Sequence, residues 1–254
     1  MAKPKLALLP AAQGSKFYSV LPSSGVGDFD FTRSGSATRI NSQGLIETVA
    51  SGVSRLNYPM IDGVVKGCPS HILEPQRINL NTFSDPTDAQ KGSTSYASVT
   101  YQDDFYWGLG NVINNAIVFG DNSTTRYAYY SSTVASGTEY TLSVFIKMDD
   151  NSIPIPATDF LIVLAGTSIA TGYNVESYGN NIYRVSVSGS ASASNTANGI
   201  LKVASHSTKG FKISAFQVEQ GSYVTSYIPT SGSAVTRSAE TANGSGSAST
   251  FNSS

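Results

Sequence analysis

The chain has 254 residues, of which 40% are hydrophobic and 13% are charged, and its formal net charge is -1. This length and hydrophobic content allow one large core or two modest ones, so one or two domains are both open. The sparse charge provides no basic surface for a phosphate backbone, which argues against nucleic acid as a partner. Cys68 is the only cysteine, which excludes an intrachain disulfide and a thiolate-rich metal site, and we interpret it as a structural thiol.

The first third of the chain, residues 1–80, has few strong strand patterns. Its short Leu6–Leu9 run is too brief for a signal peptide, and no stretch of the chain reaches membrane-spanning length. We expect cytosolic synthesis, no membrane insertion, and a segment that wraps, extends or docks onto a neighbour; an ordinary irregular extension is the alternative. Within it, Thr38–Glu47 predicts a β-hairpin whose turn, Asn41 to Gly44, ends on a residue that readily takes positive φ.

The middle of the chain, residues 81–237, predicts sandwich strands at short spacing, separated by Gly, Asn, Ser and Thr turns. Alternation of apolar and polar residues or a short apolar run marks four of them: Tyr140–Lys147, Phe160–Ala165, Ile182–Ser188 and Phe211–Val218.

Two of these patterns predict which side chains lie on the same face of their strand. Tyr140, Leu142, Val144 and Ile146 are expected to share one face of their strand. In the last strand, Phe211 and Ile213 are expected on the face opposite Phe216 and Val218.

The end of the chain, residues 238–254, is almost entirely Ser, Ala, Thr, Gly and Asn, with Phe251 as its one large apolar residue. Such a composition buries too little surface to offset chain entropy without a partner. We therefore interpret it as a linker or as a strand bound to a partner.

Three ordered groups of segments carry a family pattern. The first group is Asp28–Arg33, Ala37–Asn41 and Gly44–Glu47, the second is Cys68–Leu80, and the third is Phe216–Thr230 with Val235–Arg237. They resemble the opening, the Leu-Leu-Glu-Pro-Gln-Arg-Thr-Asn-Leu signature, and the last strand and exit loop of a carbohydrate-binding-module-like jelly roll in tail-fibre, head-fibre and spike proteins of tailed phages. The second segment departs from that signature at Ile72 and Ile78, where Leu and Thr are usual.

The resemblance implies an all-β fold with three parts. It predicts an irregular N-terminal attachment segment with a β-hairpin (1–80), a jelly-roll β-sandwich like a carbohydrate-binding module (81–237), and a Ser/Gly-rich tail or linker (238–254). Because longer relatives continue into a lectin-like laminin-G sandwich, we expect either a fibre without that tip or, in preference, a fragment of a longer fibre.

The resemblance also implies a function, that of a structural protein in the virion. The N-terminal part would dock on capsid, collar or baseplate, and the chain would associate as a homotrimer. The alternatives are a host-glycan-binding adhesin and, less favoured, a polysaccharide depolymerase.

A set of polar residues in the matching segments is interpreted as a structural signature. Pro75 keeps the backbone beside Glu74 extended, which suits a buried polar staple. Glu74 is expected to form a bidentate pair with Arg33, Arg39 or Arg237 and so to tie the opening segment to the exit of the sandwich. The signature set is Arg33, Arg39, Glu74, Gln76, Arg77 and Arg237.

The sequence does not single out a catalytic site. It has no nucleophile elbow, phosphate-binding glycine loop or His-rich metal motif, and His71 and His206 are its only histidines. A glycosidase pair of Glu74 and Glu219 would need a cleft that nothing in the sequence indicates. We predict that the chain is not an enzyme and needs no cofactor, and that His71 is a hydrogen-bonded structural residue.

Aromatic residues provide the candidate glycan platform, because a ring face stacks on the apolar face of a pyranose. A sandwich core uses the same rings, so core packing is the competing interpretation, above all for Trp107. Asp103 and Asp104 are candidates for a structural calcium site. The candidate glycan residues are Tyr106, Trp107, Tyr129 and Tyr130, with Phe105 and Tyr127 beside them.

Overall fold

The computed structural model describes residues 8–13, 16–19, 29–97, 99–121, 124–205 and 208–243. These residues form strands joined by turns and loops, with a short 3-10 helix at Asp88–Ser93, so the all-β prediction is confirmed. The strands in chain order are β1 (Leu8–Gln13), β2 (Lys16–Ser19), β3 (Phe29–Thr32), β4 (Ala37–Ile40), β5 (Ile46–Val49), β6 (Leu56–Asn57), β7 (Met60–Ile61), β8 (Val64–Val65), β9 (Ser70–His71), β10 (Arg77–Asn79), β11 (Thr94–Ala97), β12 (Thr100–Gln102), β13 (Ala116–Phe119), β14 (Arg126–Val134), β15 (Glu139–Met148), β16 (Leu161–Leu164), β17 (Thr167–Ile169), β18 (Asn174–Ser177), β19 (Ile182–Ser190), β20 (Asn195–Lys202), β21 (Phe211–Gln220), β22 (Val235–Arg237) and β23 (Thr241–Asn243).

The described residues divide into two compact units. The first unit takes its residues from 8–59, 65–76 and 237–243, and the second from 60–64 and 77–236. The first unit is therefore discontinuous in sequence, since it combines the beginning of the chain with a segment close to its end.

The second unit is a β-sandwich of two antiparallel sheets. A six-stranded sheet has the order β12-β13-β21-β15-β19-β18, and a five-stranded sheet has the order β11-β14-β20-β16-β17. Side chains from both sheets join one buried core, including Leu142 and Val144 from β15, Ile162 from β16 and Ile200 from β20. Inner faces that share one core are the defining feature of sheet-on-sheet packing.

Strand β15 lies inside the six-stranded sheet and confirms the strand predicted at Tyr140–Lys147. It pairs with β19 on one side and with β21 on the other. Tyr140, Leu142, Val144 and Ile146 all point into the core, as the alternation predicted. Phe145, on the other face, is also buried, because it packs edge-on against Tyr178 at a centroid distance of 4.9 Å.

Strand β21 corrects the prediction made for its faces. Its register with β15 shifts between Ser143 and Phe145, which marks a β-bulge, and Ala215 within the bulged stretch has a φ of 52°. A bulge inserts an extra residue and so changes which face the following side chains take. The four apolar residues expected on opposite faces therefore all enter the same core: Phe211, Ile213, Phe216 and Val218.

The first unit is built from small sheets. Strands β4 and β5 form the predicted hairpin, in which Asn41 and Leu45 are joined by a backbone hydrogen bond of 2.9 Å. Gly44 has a φ of 78°, the left-handed conformation that the turn requires and that glycine adopts without strain. A four-stranded sheet has the order β1-β2-β3-β23, and β6 pairs with β9.

The predicted tail begins within the first unit. Thr241–Asn243 form β23, which pairs antiparallel with β3, and the hydroxyls of Thr32 and Thr241 lie 2.6 Å apart. This part of the tail is thus ordered by a strand of its own chain. Residues 1–7 and 244–254, with Phe251, lie outside the described residues, as do Asp28 and His206.

Trp107 belongs to the interior of the second unit. Its side chain is only 2% exposed, and its indole Nε1 donates a 2.9 Å hydrogen bond to the Asn115 carbonyl. Phe105 packs edge-on against it at a centroid distance of 5.1 Å. Trp107 is therefore a core residue, as the competing interpretation predicted.

We expect Trp107→Ala to lower the free energy of unfolding by about 3–5 kcal/mol, the usual cost of truncating a large buried aromatic residue. Tyr106→Ala is the matched control, because Tyr106 is 85% exposed and its removal should change stability by less than about 0.5 kcal/mol. Urea denaturation followed by circular dichroism measures both. Equal stability of the two variants would contradict the position of Trp107.

Candidate functional site

Five charged residues form a buried cluster in the first unit, which we name the arginine–glutamate cluster. They come from three separate stretches of the chain. Arg33 and Arg55 lie within 29–59, Glu74 lies within 65–76, and Arg237 and Glu240 lie within 237–243. The members are Arg33, Arg55, Glu74, Arg237 and Glu240.

Glu240 is the central acceptor of the cluster. Its Oε1 accepts hydrogen bonds from Arg33 Nη1 and Arg55 Nε, both at 2.7 Å. Its Oε2 accepts from Arg55 Nη2 at 2.5 Å and from the backbone N–H of Glu74 at 3.0 Å. The two bonds from Arg55 make a bidentate pair, the geometry in which guanidinium and carboxylate fit most specifically.

Glu74 is the second acceptor. Its Oε2 lies 2.7 Å from Arg55 Nη2 and 3.0 Å from Arg237 Nη1, so it bridges two guanidinium groups. The backbone N–H of Glu240 also donates to the Glu74 carbonyl at 3.0 Å. Of the three partners proposed from sequence, Arg237 is found with Glu74, whereas Arg33 binds Glu240 and Arg39 binds Glu47.

Backbone carbonyls satisfy further donors of the three arginines. Arg33 donates to the carbonyls of Val49 and Ala50, at 3.2 and 2.6 Å. Arg55 Nη1 donates to the Thr38 carbonyl at 2.6 Å, and Arg237 Nη2 to the Pro75 carbonyl at 3.0 Å. The guanidinium groups therefore hold the β4–β5 hairpin and the segment at Pro75 in place, in addition to binding the two carboxylates.

The cluster is almost free of solvent. The side chains of Arg33, Arg55 and Glu240 are 0% exposed, whereas Glu74 is 18% exposed. Burial raises the pKa of the Glu240 carboxyl, but hydrogen bonds and charge from Arg55, then Arg33, outweigh it and hold the pKa below its ordinary value. A carboxylate whose pKa is lowered in the folded state stabilises the fold at pH values above its ordinary, unfolded-state pKa. This stabilisation is lost as the pH falls through the lowered pKa of the folded state.

The remaining signature residues, Arg39, Gln76 and Arg77, are not members of the cluster. Arg39 pairs with Glu47 at 2.6 Å across the β4–β5 hairpin, and Gln76 is exposed. Arg77 belongs to the second unit, where its Nε lies 3.8 Å from Glu219 Oε2 and its guanidinium lies 5.1 Å from the Tyr223 ring centroid.

The two carboxylates of the glycosidase alternative have structural partners. Glu74 is held by arginines, as described above. Glu219 is 0% exposed and accepts hydrogen bonds from Gln217 Nε2 at 2.8 Å, the Thr225 N–H at 2.9 Å and the Thr225 hydroxyl at 2.6 Å. Both side chains therefore act as hydrogen-bond and charge anchors in the structure.

The four candidate glycan residues differ in their access to solvent. Trp107 and Tyr130 are buried, and Tyr130 stacks on Phe216 at a centroid distance of 4.5 Å, so neither ring can receive a sugar. Tyr129 is half-buried and stacks on Tyr127 at 4.7 Å, which occupies one face of each ring. Only Tyr106 among the four is open to solvent on most of its surface.

The calcium candidates Asp103 and Asp104 are both exposed. Asp103 Oδ1 accepts a 2.7 Å hydrogen bond from the Asp88 N–H, and Asp104 has a φ of 55°. In the part of the chain that the structure describes, no three or more His, Cys, Asp or Glu side chains form a group that could hold a metal ion. Within the same residues, no helix has the length and apolar character to cross a membrane.

A scan against protein-family models found no match, and a search of curated proteins found no significant match.

Arg55 and Glu240 are the two cluster residues that the sequence interpretation missed. A signal for Glu240 does exist, because charged residues are sparse near the end of the chain: beyond Gln220, Arg237 and Glu240 are the only ones. An isolated pair of opposite charges in a neutral stretch indicates a specific partner. Arg55 lies in a loop without any comparable pattern.

We expect Glu240→Gln to destabilise the first unit by about 3–5 kcal/mol, because it leaves buried guanidinium groups without their counter-charge. Glu47→Gln is the control, since Glu47 is 37% exposed and its pair with Arg39 should contribute less than about 1 kcal/mol. Hydrogen exchange of amides in residues 29–59 reports both. Equally small effects of the two substitutions would contradict a stabilising role for the cluster.

Proposed function

We propose that the chain is a structural protein of a tailed-phage virion, a fibre, spike or decoration of the capsid or baseplate. In this proposal residues 1–80 provide the attachment to capsid, collar or baseplate. The β-sandwich is displayed outward as a jelly roll like a carbohydrate-binding module, and the chain acts in the virion without enzymatic activity.

The observation that supports a structural role most directly is the arginine–glutamate cluster. Arg33, Glu74 and Arg237 come from the three groups of segments that resemble the fibre and spike proteins, and all three are used in buried ion pairs. Buried charges that are engaged in ion pairs and hydrogen bonds favour one arrangement of the chain and are not available as catalytic groups. These three residues of the matching segments therefore have structural partners, which supports a structural role.

Self-association as a homotrimer is part of the proposal. Ile153 and Ile155, in one loop of the second unit, are 61% and 54% exposed. Symmetric association would remove such apolar side chains from water.

The virion assignment is tested by mass spectrometry of density-purified particles of the phage that encodes the chain. Peptides of the chain should co-purify with the major capsid protein, and native mass spectrometry of the isolated chain should give about 80 kDa, three chains of 26.7 kDa. Peptides found in infected-cell lysate but absent from particles would overturn the assignment. A purely monomeric mass would overturn the trimer.

The surface around Tyr106 favours a second candidate, a host-glycan-binding adhesin. Tyr106 is 85% exposed. The space above Gly108 is flanked by Tyr106 Cε1 at 3.8 Å and Asn180 Nδ2 at 3.1 Å from the position that a Cβ would take. An exposed ring beside a side-chain amide can stack on a sugar ring and form hydrogen bonds to its hydroxyls, and sugar-binding sites use both kinds of contact.

We expect Tyr106→Ala to abolish binding on an array of bacterial surface glycans while the melting temperature is unchanged. Tyr223→Ala is the matched control, because Tyr223 is 50% exposed and its ring lies beside the Arg77 guanidinium. Undiminished glycan binding by Tyr106→Ala would exclude this surface. Release of reducing sugar from host polysaccharide by the unaltered chain would support the depolymerase alternative.

A further inference from the structure

A cavity of about 310 Å³ with mixed polar and apolar walls lies in the second unit, lined by three loops of the sandwich, the first of which includes the start of the 3-10 helix at Asp88–Ser93. The loops contribute residues from 84–90, 112–115 and 227–231. Its volume falls at the lower end of the range for small-molecule sites, roughly 300–1,000 Å³. It therefore suits a single small molecule or one ring of a larger one.

Hydrogen bonds hold two of these loops in place. The Ser84 N–H donates to Thr230 Oγ1 and the Thr230 N–H donates to Ser84 Oγ, both at 2.9 Å. An isolated bridge between Phe83 and Ser231 continues this pairing. Since the walls are fixed by their own chain, the cavity is formed before any ligand arrives, which lowers the ordering cost of binding.

Asp85 positions the third loop. Its Oδ1 accepts from the Asn115 N–H at 3.0 Å and from the Ser214 hydroxyl at 2.5 Å. Its Oδ2 accepts from the Asn114 N–H at 2.8 Å and from Asn115 Nδ2 at 3.1 Å. A carboxylate oxygen offers about two lone-pair sites, so these four donors occupy the group and leave it no capacity for a metal ion or an ammonium ligand.

The groups that remain for a ligand are neutral and of mixed character. Gln90 uses Oε1 to accept from the Thr87 N–H at 3.1 Å, which leaves its Nε2 as a donor. Asn115 uses Nδ2 on Asp85, which leaves its Oδ1 as an acceptor. The hydroxyls of Thr87 and Ser231 donate and accept.

The donors and acceptors that line the cavity favour one chemical class of ligand. An anion requires donors or cations, yet the described residues that line the cavity include no lysine or arginine, and the Asp85 carboxylate would repel an anion. Sugar hydroxyls both donate and accept, and Val112 and Pro229 supply apolar surface for the C–H groups of a ring.

We propose that this cavity binds one neutral pyranose ring, free or as the end of a glycan. The inference goes beyond the virion role. The cavity is lined by residues other than Tyr106. Sugar binding at the cavity and sugar binding at the Tyr106 surface can therefore be confirmed or excluded separately.

The protein contains its own reporter for the test. Trp107 is the only tryptophan, and its indole N–H donates to the carbonyl of Asn115, a residue of the cavity wall. Trp107 fluorescence is titrated with glucose, galactose, mannose, rhamnose and N-acetylglucosamine, and with inorganic phosphate as the anionic probe. Concentrations up to about 100 mM cover the millimolar dissociation constants expected of a site with few hydrogen bonds.

At least one of the five sugars should give a saturable change, and phosphate should give none. Gln90→Glu keeps the Oε1 acceptor for Thr87 but replaces the donor Nε2 by a charged oxygen, so it should weaken sugar binding by about tenfold or more. Gln43→Glu introduces the same charge on an exposed side chain of the first unit and should leave the affinity unchanged. If Gln90→Glu does not fold, Thr87→Val replaces it and should weaken binding several-fold.

Four results would overturn the proposal, and the first three follow directly from the titration. These three are the absence of a saturable response to every sugar, a sugar affinity that neither Gln90→Glu nor Thr87→Val changes, and saturable binding of phosphate in place of sugar. A response that is lost in Tyr106→Ala but kept in Gln90→Glu would place the sugar at Tyr106 and likewise overturn the cavity site.

Discussion

Three guanidinium groups and two carboxylates share a site that is almost closed to water, so the two carboxylates and the surrounding backbone carbonyls must together compensate the three positive charges. The desolvation of such charges is costly, and it is offset only when geometry and hydrogen bonding are both satisfied. Glu240 meets this requirement through two arginines and the Glu74 N–H. Because its partners come from distant parts of the sequence, the cluster joins the three separate stretches of chain that make up the first unit.

The cluster also explains how a Ser- and Ala-rich stretch becomes ordered. Residues around Glu240 have too little apolar surface to fold alone, and their composition resembles that of a linker. Arg237 and Glu240 bring charged anchors into this stretch, and β23 then pairs with β3. A linker-like composition is therefore compatible with an ordered strand when a few specific polar contacts hold it.

Features of the structure that depend on local interactions could be predicted from the sequence, whereas features that depend on contacts between separate strands could not. The strand at Tyr140–Lys147 and the hairpin turn at Gly44 depend on local alternation and local backbone preference, so the sequence shows them directly. The bulge at Ala215 depends on the register of neighbouring strands, and an alanine with positive φ leaves no mark in composition.

The site was predictable in part for the same reason. Glu74 and Arg237 could be paired because both lie in segments with a family resemblance, whereas Arg55 lies in a loop without a motif and meets Glu240 185 positions away. Trp107 shows the limit for aromatic residues, because a core and a sugar platform use the same ring and only its 2% exposure separates them. The cavity is built from three separate loops, so no single segment of the sequence predicts it.

The central claim, that the charges of the cluster stabilise the first unit through one another, is tested most directly by a double-mutant cycle of Arg55→Met and Glu240→Gln. Unfolding free energies come from native-state hydrogen exchange of amides in residues 29–59. The account predicts that the double variant loses less stability than the sum of the two single variants, by about 1.5 kcal/mol or more. Additive losses, within about 0.5 kcal/mol, would contradict it.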